Sequence, residues 1–255
     1  MRIGCAGWAI PSQYGRLFQE DGSTLERYAS RLDVVEINSS FYRPHQPKTY
    51  ARWAASVPAT FRFSVKVPKS ITHDHLLVGT APLVDQFLDE CLELGHRLGG
   101  LLVQLQPSLQ FDGRRANAFF GLLRRRLPDK IAIACEPRHP TWFGPKSLAI
   151  CERYQVNRVA ADPAPFHAPG PPLLPSDSGR WRYWRLHGSP RMYYSAYSPA
   201  TLGKLVPALR QAARTSNVWV IFDNMAHGHA VENAFTLKSL VAAASHPASQ
   251  MSGTT

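Results

Sequence analysis

The chain has 255 residues and a mass of 28.4 kDa, long for one ordinary domain but the usual size of an eight-fold α/β barrel. Apolar residues make up 44% of it, enough for a sizeable core, so global disorder is excluded, and no apolar run approaches the roughly 20 residues that span a bilayer. A net charge of +11, from 29 basic and 18 acidic residues, favours anionic partners, whether nucleic acid, phosphorylated metabolites or acidic lipid, and carries no information about fold.

The opening run MRIGCAGWAI has one Arg, lacks the apolar stretch of a signal peptide and reads as a strand, so a cytoplasmic protein without membrane attachment is expected. Cys5, Cys91, Cys135 and Cys151 show no C-x-x-C spacing and lie in apolar runs, the setting of reduced core cysteines.

The predicted elements alternate along the chain. A strand at 2–8 precedes a helix at 24–32, which Ser23 can cap. Strands at 34–39 and 62–67 flank a helix at 48–57, and a helix at 82–98 leads to a strand at 100–105. A helix at 115–127, a strand at 131–136 and a helix at 146–155 follow, then a strand at 158–162. The last strands, at 182–187 and 218–224, are separated by a helix at 199–214 that begins Ser198-Pro199, a cap followed by a first-turn proline; a helix at 230–244 ends the pattern. Strand alternating with helix implies right-handed crossovers and a parallel sheet. The fold expected is α/β, a single eight-stranded parallel (β/α)8 barrel of the TIM type over residues 1–244, with 245–255 a frayed tail. A doubly wound open sheet would carry a G-x-G-x-x-G or P-loop turn after an early strand, and neither is present. After the sixth strand, residues 163–179 hold six prolines and no helical period where a crossover helix belongs, which makes them a surface excursion or a lid.

Alternation sorts each strand into a face that meets helices and a face that fills the barrel. Phe63, Val65 and Val67 point out, so Ser64 and Lys66 point in; by the same rule Glu36, Asn38, Gln104, Glu136, Tyr183, Arg185 and His187 point in, with Gly4, Ala6 and Trp8 from the first strand. Barrel interiors are ordinarily packed with branched apolar side chains. Charges there are costly unless paired, so this set is either a self-neutralising ion network or the floor of an active site at the C-terminal ends of the strands. Asp162, Asp223 and Asn224 add to that rim.

An ordered set of segments covering about residues 2–241 resembles the YecE-like family, a domain-of-unknown-function family with a TIM-type barrel. The set comprises Ile3-Gly4 with Gly7-Trp8, Val35-Glu36-Ile37-Asn38-Ser39-Ser40-Phe41-Tyr42, Phe61-Arg62-Phe63-Ser64-Val65-Lys66 and Ile71-Thr72-His73. It continues with Glu136-Pro137-Arg138-His139-Pro140-Thr141-Trp142, Arg185-Leu186-His187-Gly188, and Gly228-His229-Ala230 with Asn233-Ala234. The chain departs from the family's pattern after Phe222, where Asp223-Asn224 replaces the usual Asn-Asn pair and Met225 stands where Asp is common. The resemblance implies a barrel and a polar mouth but no particular reaction.

Three chemistries fit the residues. Glu36 and Glu136 form a carboxylate pair for acid–base work, with His187 and Asp223 in support as catalytic candidates. Carboxylates and His187 at strand ends are also ligand types for a divalent metal, which is left open as a cofactor with no ligand set assigned. Basic side chains interleaved with aromatic ones suit an anion joined to a ring; Trp8, Asn38, Tyr42, Lys66, His73, Arg138, Arg185 and Asn224 are the substrate-binding candidates. Arg124-Arg125-Arg126 closes a helix on the opposite face, where it offsets the helix dipole. The function expected is an enzyme acting on an anionic, phosphate-bearing or nucleotide-like substrate by acid–base or metal-assisted chemistry. The alternative is a non-catalytic nucleic-acid-binding protein using the same rim.

Overall fold

A computed structural model describes residues 1–164, 175 and 181–244. Nine parallel strands form one sheet: β1 (Arg2–Ala6), β2 (Val34–Ile37), β3 (Arg62–Lys66), β4 (Leu98–Gln104), β5 (Ala132–Glu136), β6 (Val156–Arg158), β7 (Ala160–Asp162), β8 (Trp181–Leu186) and β9 (Asn217–Phe222). Their order is β6-β5-β4-β3-β2-β1-β9-β8-β7. The architecture is a nearly closed parallel barrel of nine strands, not the expected eight. The expected sixth strand is two short ones. β6 pairs with β5 and β7 pairs with β8, with Val159 between them donating its N–H to the Cys135 carbonyl at 2.8 Å. The two ends of the sheet are therefore consecutive pieces of one chain segment, which changes neighbour at Val159.

Helices lie between the strands: α1 (Thr24–Ala29), α2 (Ser39–Tyr42), α3 (Pro47–Ala55), α4 (Ala81–Cys91), α5 (Gly113–Arg126), α6 (Pro145–Arg153), α7 (Pro199–Ala213) and α8 (His229–Ala243). Their starts follow local chemistry. Ser23 and Glu26 exchange hydrogen bonds in a capping box, Asp112 accepts from the Arg115 N–H, and Ser198 accepts from the Thr201 N–H. The helix expected at 82–98 ends early because Gly95 takes a left-handed φ of 55°, which lets the chain turn into β4 two residues sooner than the alternation implied. Most of the proline-rich connection at 163–179, and the tail at 245–255, lie outside the described residues.

Two apolar layers result. The larger packs outward-facing strand residues such as Val35, Phe63, Leu101, Cys135 and Trp184 against the helices. The smaller fills the barrel with Ala6, Val34, Leu102, Ala134, Val159, Trp181, Tyr183, Trp219 and Ile221. All four cysteines are buried free thiols, and burial pushes Cys5 up to about 12. Among the described residues no helix is long and apolar enough to cross a membrane.

Trp181 and Trp219 stack edge to face at 5.1 Å in the lower half of the barrel, and paired glycines on β4 make room for them. A Cβ on Gly99 would fall 2.4 Å from Trp219 Cη2, and one on Gly100 2.7 Å from Trp181 Cη2. Gly99→Ala is expected to cost about 1–3 kcal/mol by overpacking. In a Trp219→Phe background, which removes the clashing atoms, that cost should fall by about half or more; denaturant midpoints of the four proteins measure the coupling.

Candidate functional site

The upper third of the barrel interior is polar, as alternation requires once the outward positions are apolar. Its centre is Arg185, on β8, with no exposed surface. Nε donates to Glu36 Oε2 at 3.0 Å and Nη2 to Glu36 Oε1 at 2.7 Å, a bidentate pair across the barrel to β2. Nη1 donates to Glu136 Oε2 at 2.6 Å, and Nη2 also to Asp223 Oδ2 at 2.9 Å. Tyr183, one layer below, donates its hydroxyl to Glu36 Oε2 at 2.7 Å. One guanidinium thus joins the ends of β2 and β5 and the residue following β9.

A second cation completes the ring. Arg138 Nε donates to Glu136 Oε1 at 2.7 Å, and its Nη1 lies 3.6 Å from Met192 Sδ. His187 sits between the carboxylates, with Nδ1 3.1 Å from Asp223 Oδ2 and Nε2 3.1 Å from Glu136 Oε1. Nε2 also lies 3.3 Å from Arg138 Nη2, so it faces a donor and an acceptor together, a position suited to passing a proton. Gln104 Nε2 reaches Glu136 Oε1 at 3.4 Å, and Asn38 Nδ2 reaches Asp223 Oδ1 at 3.4 Å.

Burial alone would raise the Glu136 carboxyl, but the charges of Arg185 and Arg138, with His187 beside them, hold it well below its usual 4.5. Asp223 is lowered for the same reason, with burial outweighed by Arg185 and the hydrogen bond to His187. Burial works against Arg185 too, yet Glu36, Glu136 and Asp223 raise it well above the ordinary guanidinium value.

Lys66 differs from every other charge here. It ends β3, is 6% exposed, and among the described residues its Nζ forms no hydrogen bond or ion pair. The ammonium lies 4.0 Å from the centre of the Phe41 ring. Burial, then the charge of Arg185, push it from 10.5 down to about 8, against the opposing pull of Glu36, Asp223 and Glu136. His73 packs edge-on against the same Phe41 ring at 5.0 Å and is itself lowered by burial and by Lys66 and Lys69. A one-turn π-helix, Ser70–Asp74, carries it there.

Of the sequence-derived candidates, Glu36, Glu136, Arg185, His187, Asp223, Arg138 and Asn38 share one hydrogen-bonded cluster, with Lys66 and His73 beside it across Phe41. Three stand apart. Trp8 is half-buried against Trp53 of α3, at 5.1 Å between ring centres. Tyr42 is 78% exposed on α2. Asn224 is buried in a structural bracket, donating to the Ser195 carbonyl and to Asn233 Oδ1, which in turn accepts from the Tyr197 N–H. Sequence reasoning missed Met192 on Arg138 and Tyr197, whose hydroxyl donates to Asp162 Oδ2 at 2.6 Å; Tyr193 stacks edge-on over His187 at 5.6 Å. All three residues follow Gly188, whose φ of 94° folds the loop over the mouth; only that glycine hinted at the turn.

Among the described residues no three His, Cys, Asp or Glu side chains are disposed to hold one metal ion. The carboxylates beside His187 already face two guanidinium groups, which would repel a dication, so this donor set does not suit a metal. A cavity of about 980 Å³, lined by Arg2, Arg62, Trp181 and Trp219 among others, opens at the other end of the barrel.

The family model described as "Protein of unknown function DUF72" matches residues 2–253. The chain belongs to the DUF72 family. It is 32% identical over 174 residues to the UPF0759 protein YecE of Escherichia coli strain K12, a match covering 66% of this chain. The chain spans 61% of the length of that curated relative. It is 24% identical to the UPF0759 protein YunF of Bacillus subtilis strain 168, over 94% of both chains. DUF72 family proteins of solved structure share the fold. One from Thermotoga maritima superposes with a TM-score of 0.77 at 23% identity, covering 94% of this chain and 98% of its own. One from Enterococcus faecalis gives 0.76 at 22% identity, covering 94% and 95%.

Glu136→Gln leaves Arg138 and Arg185 short of a counter-charge and is expected to cost about 3–5 kcal/mol at neutral pH. The folded-state values of Glu136 and Asp223 are depressed, so their contribution is complete above about pH 4.5 and is lost as pH falls below it. Urea midpoints of wild type and variant should therefore converge between neutral pH and pH 3, which equilibrium unfolding by circular dichroism would measure.

Proposed function

We propose that the barrel mouth is the active site of an enzyme that binds a small anionic substrate, a carboxylate or phosphate ester, and moves protons on it. The observation that carries this reading is Lys66, a buried ammonium at the mouth that no carboxylate holds. Arg185 is unsuited to the anion-binding role its sequence position suggested, because all of its nitrogens already serve carboxylates and none is exposed. Lys66, with Arg138 at the edge, takes that role, and Arg185 positions the carboxylates. His187, placed between Glu136 and Asp223, is the proton carrier. Asn38, whose amide reaches Asp223, has a buried Oδ1 without a protein partner, which suits a substrate with a hydroxyl group. The chemistry is acid–base and runs through no metal.

An unpaired buried lysine weakens the fold. Its folded-state value is depressed, so stability should rise as pH climbs from about 8 to 10.5, and Lys66→Met should be more stable than wild type at pH 7 by about 1–3 kcal/mol. The same variant should lose binding of sulfate, an anion that does not itself titrate in this range. In wild type, sulfate affinity should fall roughly tenfold per unit once pH passes about 8, while Lys66→Arg should keep it, because guanidinium stays charged. Calorimetric titration between pH 6 and 10 measures both. Sulfate affinity independent of pH and unaffected by Lys66→Met would overturn the reading.

A second reading has its own observation. Tyr193 and Tyr194 are 38% and 39% exposed beside the mouth, Tyr42 is more so, and the Arg191 guanidinium lies 4.0 Å from the centre of the Tyr194 ring. Rings with adjacent cations suit stacked bases of a single-stranded nucleic acid. That reading requires affinity for an oligothymidylate to fall steeply with salt, several powers of ten between 50 and 200 mM for about 6–10 phosphate contacts. A shallow dependence leaves the small-anion reading.

A further inference from the structure

We propose that Lys66 is a covalent nucleophile, its Nζ condensing with the carbonyl carbon of a small aldehyde or ketone that carries a carboxylate or phosphate, to form an imine. This rests on the anion-binding reading of the mouth and names the substrate class and the covalent step. The geometry separates Lys66 from a structural lysine. Three carboxylates, Glu36, Glu136 and Asp223, belong to the same polar layer, yet each is held by arginine or histidine and none pairs with Nζ. The Phe41 ring lies 4.0 Å from the ammonium, a contact that takes up none of its hydrogen-bonding capacity. Lys69, three residues on, shows the ordinary alternative: it is half-exposed and ion-paired with Asp74 at 2.8 Å.

Imine formation needs the neutral amine, and the surroundings supply it. Burial and Arg185 lower Lys66 to about 8, against Glu36, Asp223 and Glu136, while His73 and Lys69 flank it from the following turn. In the step itself the nitrogen lone pair forms the C–N bond and the carbonyl π electrons move to oxygen; nitrogen gives up one proton and oxygen takes one, leaving a neutral carbinolamine. Oxygen then takes a second proton, from the site or solvent, the C–O bond breaks, and the oxygen leaves as water while the nitrogen lone pair forms the C=N bond of a protonated imine. One proton is consumed for each protonated imine and water formed, and no oxidant or reductant enters. His187, facing a donor and an acceptor at Nε2, is the member of the layer able to relay them. A protonated imine draws electrons from the adjoining C–H or C–C bond, so the covalent step serves bond-making or bond-breaking next to the former carbonyl.

Glyoxylate, the smallest aldehyde bearing a carboxylate, tests this on the full chain with cyanoborohydride as the trapping reductant and peptide mass mapping as the readout. Lys66 should become N-carboxymethylated roughly tenfold faster than Lys69 at pH 7.5, as a desolvated amine with a lowered value should. Sulfate should slow the reaction at Lys66 and leave Lys69 unchanged. In Lys66→Arg the modification should vanish from position 66 while Lys69 reacts as before. Lys66 reacting no faster than Lys69, or not at all, overturns the imine. Sulfate binding separates the two ideas: if it persists there, the anion-binding reading survives alone, and if Lys66 reacts fast but indifferently to sulfate, the nucleophile stands and the anion site does not.

Discussion

A guanidinium cannot be withdrawn from water unless carboxylates meet its donors, since the desolvation of each ion costs several kcal/mol. The upper half of this barrel is arranged around that requirement. Arg185 reaches Glu36 on β2, Glu136 on β5 and Asp223 beyond β9, three positions spread around the barrel that no ladder hydrogen bond connects. Each pair is short and charge-assisted, so together they fix the strand ends relative to one another at the level where the loops depart. Tyr183 below and His187 above reach the same Glu36 Oε2 and Asp223 Oδ2 atoms that Arg185 does. The polar layer is thus a structural element as well as the floor of the proposed site, and the two descriptions apply to different side chains within it.

The lower half solves the opposite problem. A nine-stranded sheet that returns to its own chain segment leaves an interior too wide for branched aliphatic residues alone. Trp181, Tyr183 and Trp219 fill it as edge-to-face rings, and Gly99 and Gly100 yield the space their edges occupy. Above this aromatic block, burial lowers Lys66, whereas the charges of Arg185 and Arg138 overcome burial and hold Glu136 ionised.

Alternation made the inward set legible: Glu36, Lys66, Gln104, Glu136, Tyr183, Arg185 and His187 all face the barrel, because their outward neighbours are apolar in nearly every case, Arg182 beside Tyr183 being an exception. The strand count was not legible, because β6 and β7 differ from one strand only in which neighbour Val159 and the residues around it pair with, and pairing leaves no trace in so short a run. Nor did pattern distinguish Arg185 from Lys66. Both are inward cations, and only distances tell that one is saturated by carboxylates and the other by none. Asn224 was read as rim because it follows Asp223, yet its amide reaches back to the Ser195 and Asn233 bracket. Loops contributed what no periodicity encodes, namely Met192 and Tyr193 folded over Arg138 and His187.

The charge balance of the layer bears on why Lys66 is there. Leaving His187 aside, Glu36, Glu136 and Asp223 face Arg185 and Arg138, so the three carboxylates and two guanidinium groups sum to one negative charge although each carboxylate touches a cation. A lysine recruited to cancel it would do so best at ion-pair distance, where a buried pair gains most from the low dielectric. Lys66 instead sits over Phe41, cancelling the charge only through space, and the net effect of its surroundings is to make its own ionisation harder. That placement is poor for stability and good for access. It keeps a desolvated nitrogen without an ion-pair partner at the C-terminal end of β3, in the same polar layer as the proposed proton carrier His187. A side chain whose position forgoes the stabilising contact within its reach is accounted for by what it can meet from outside.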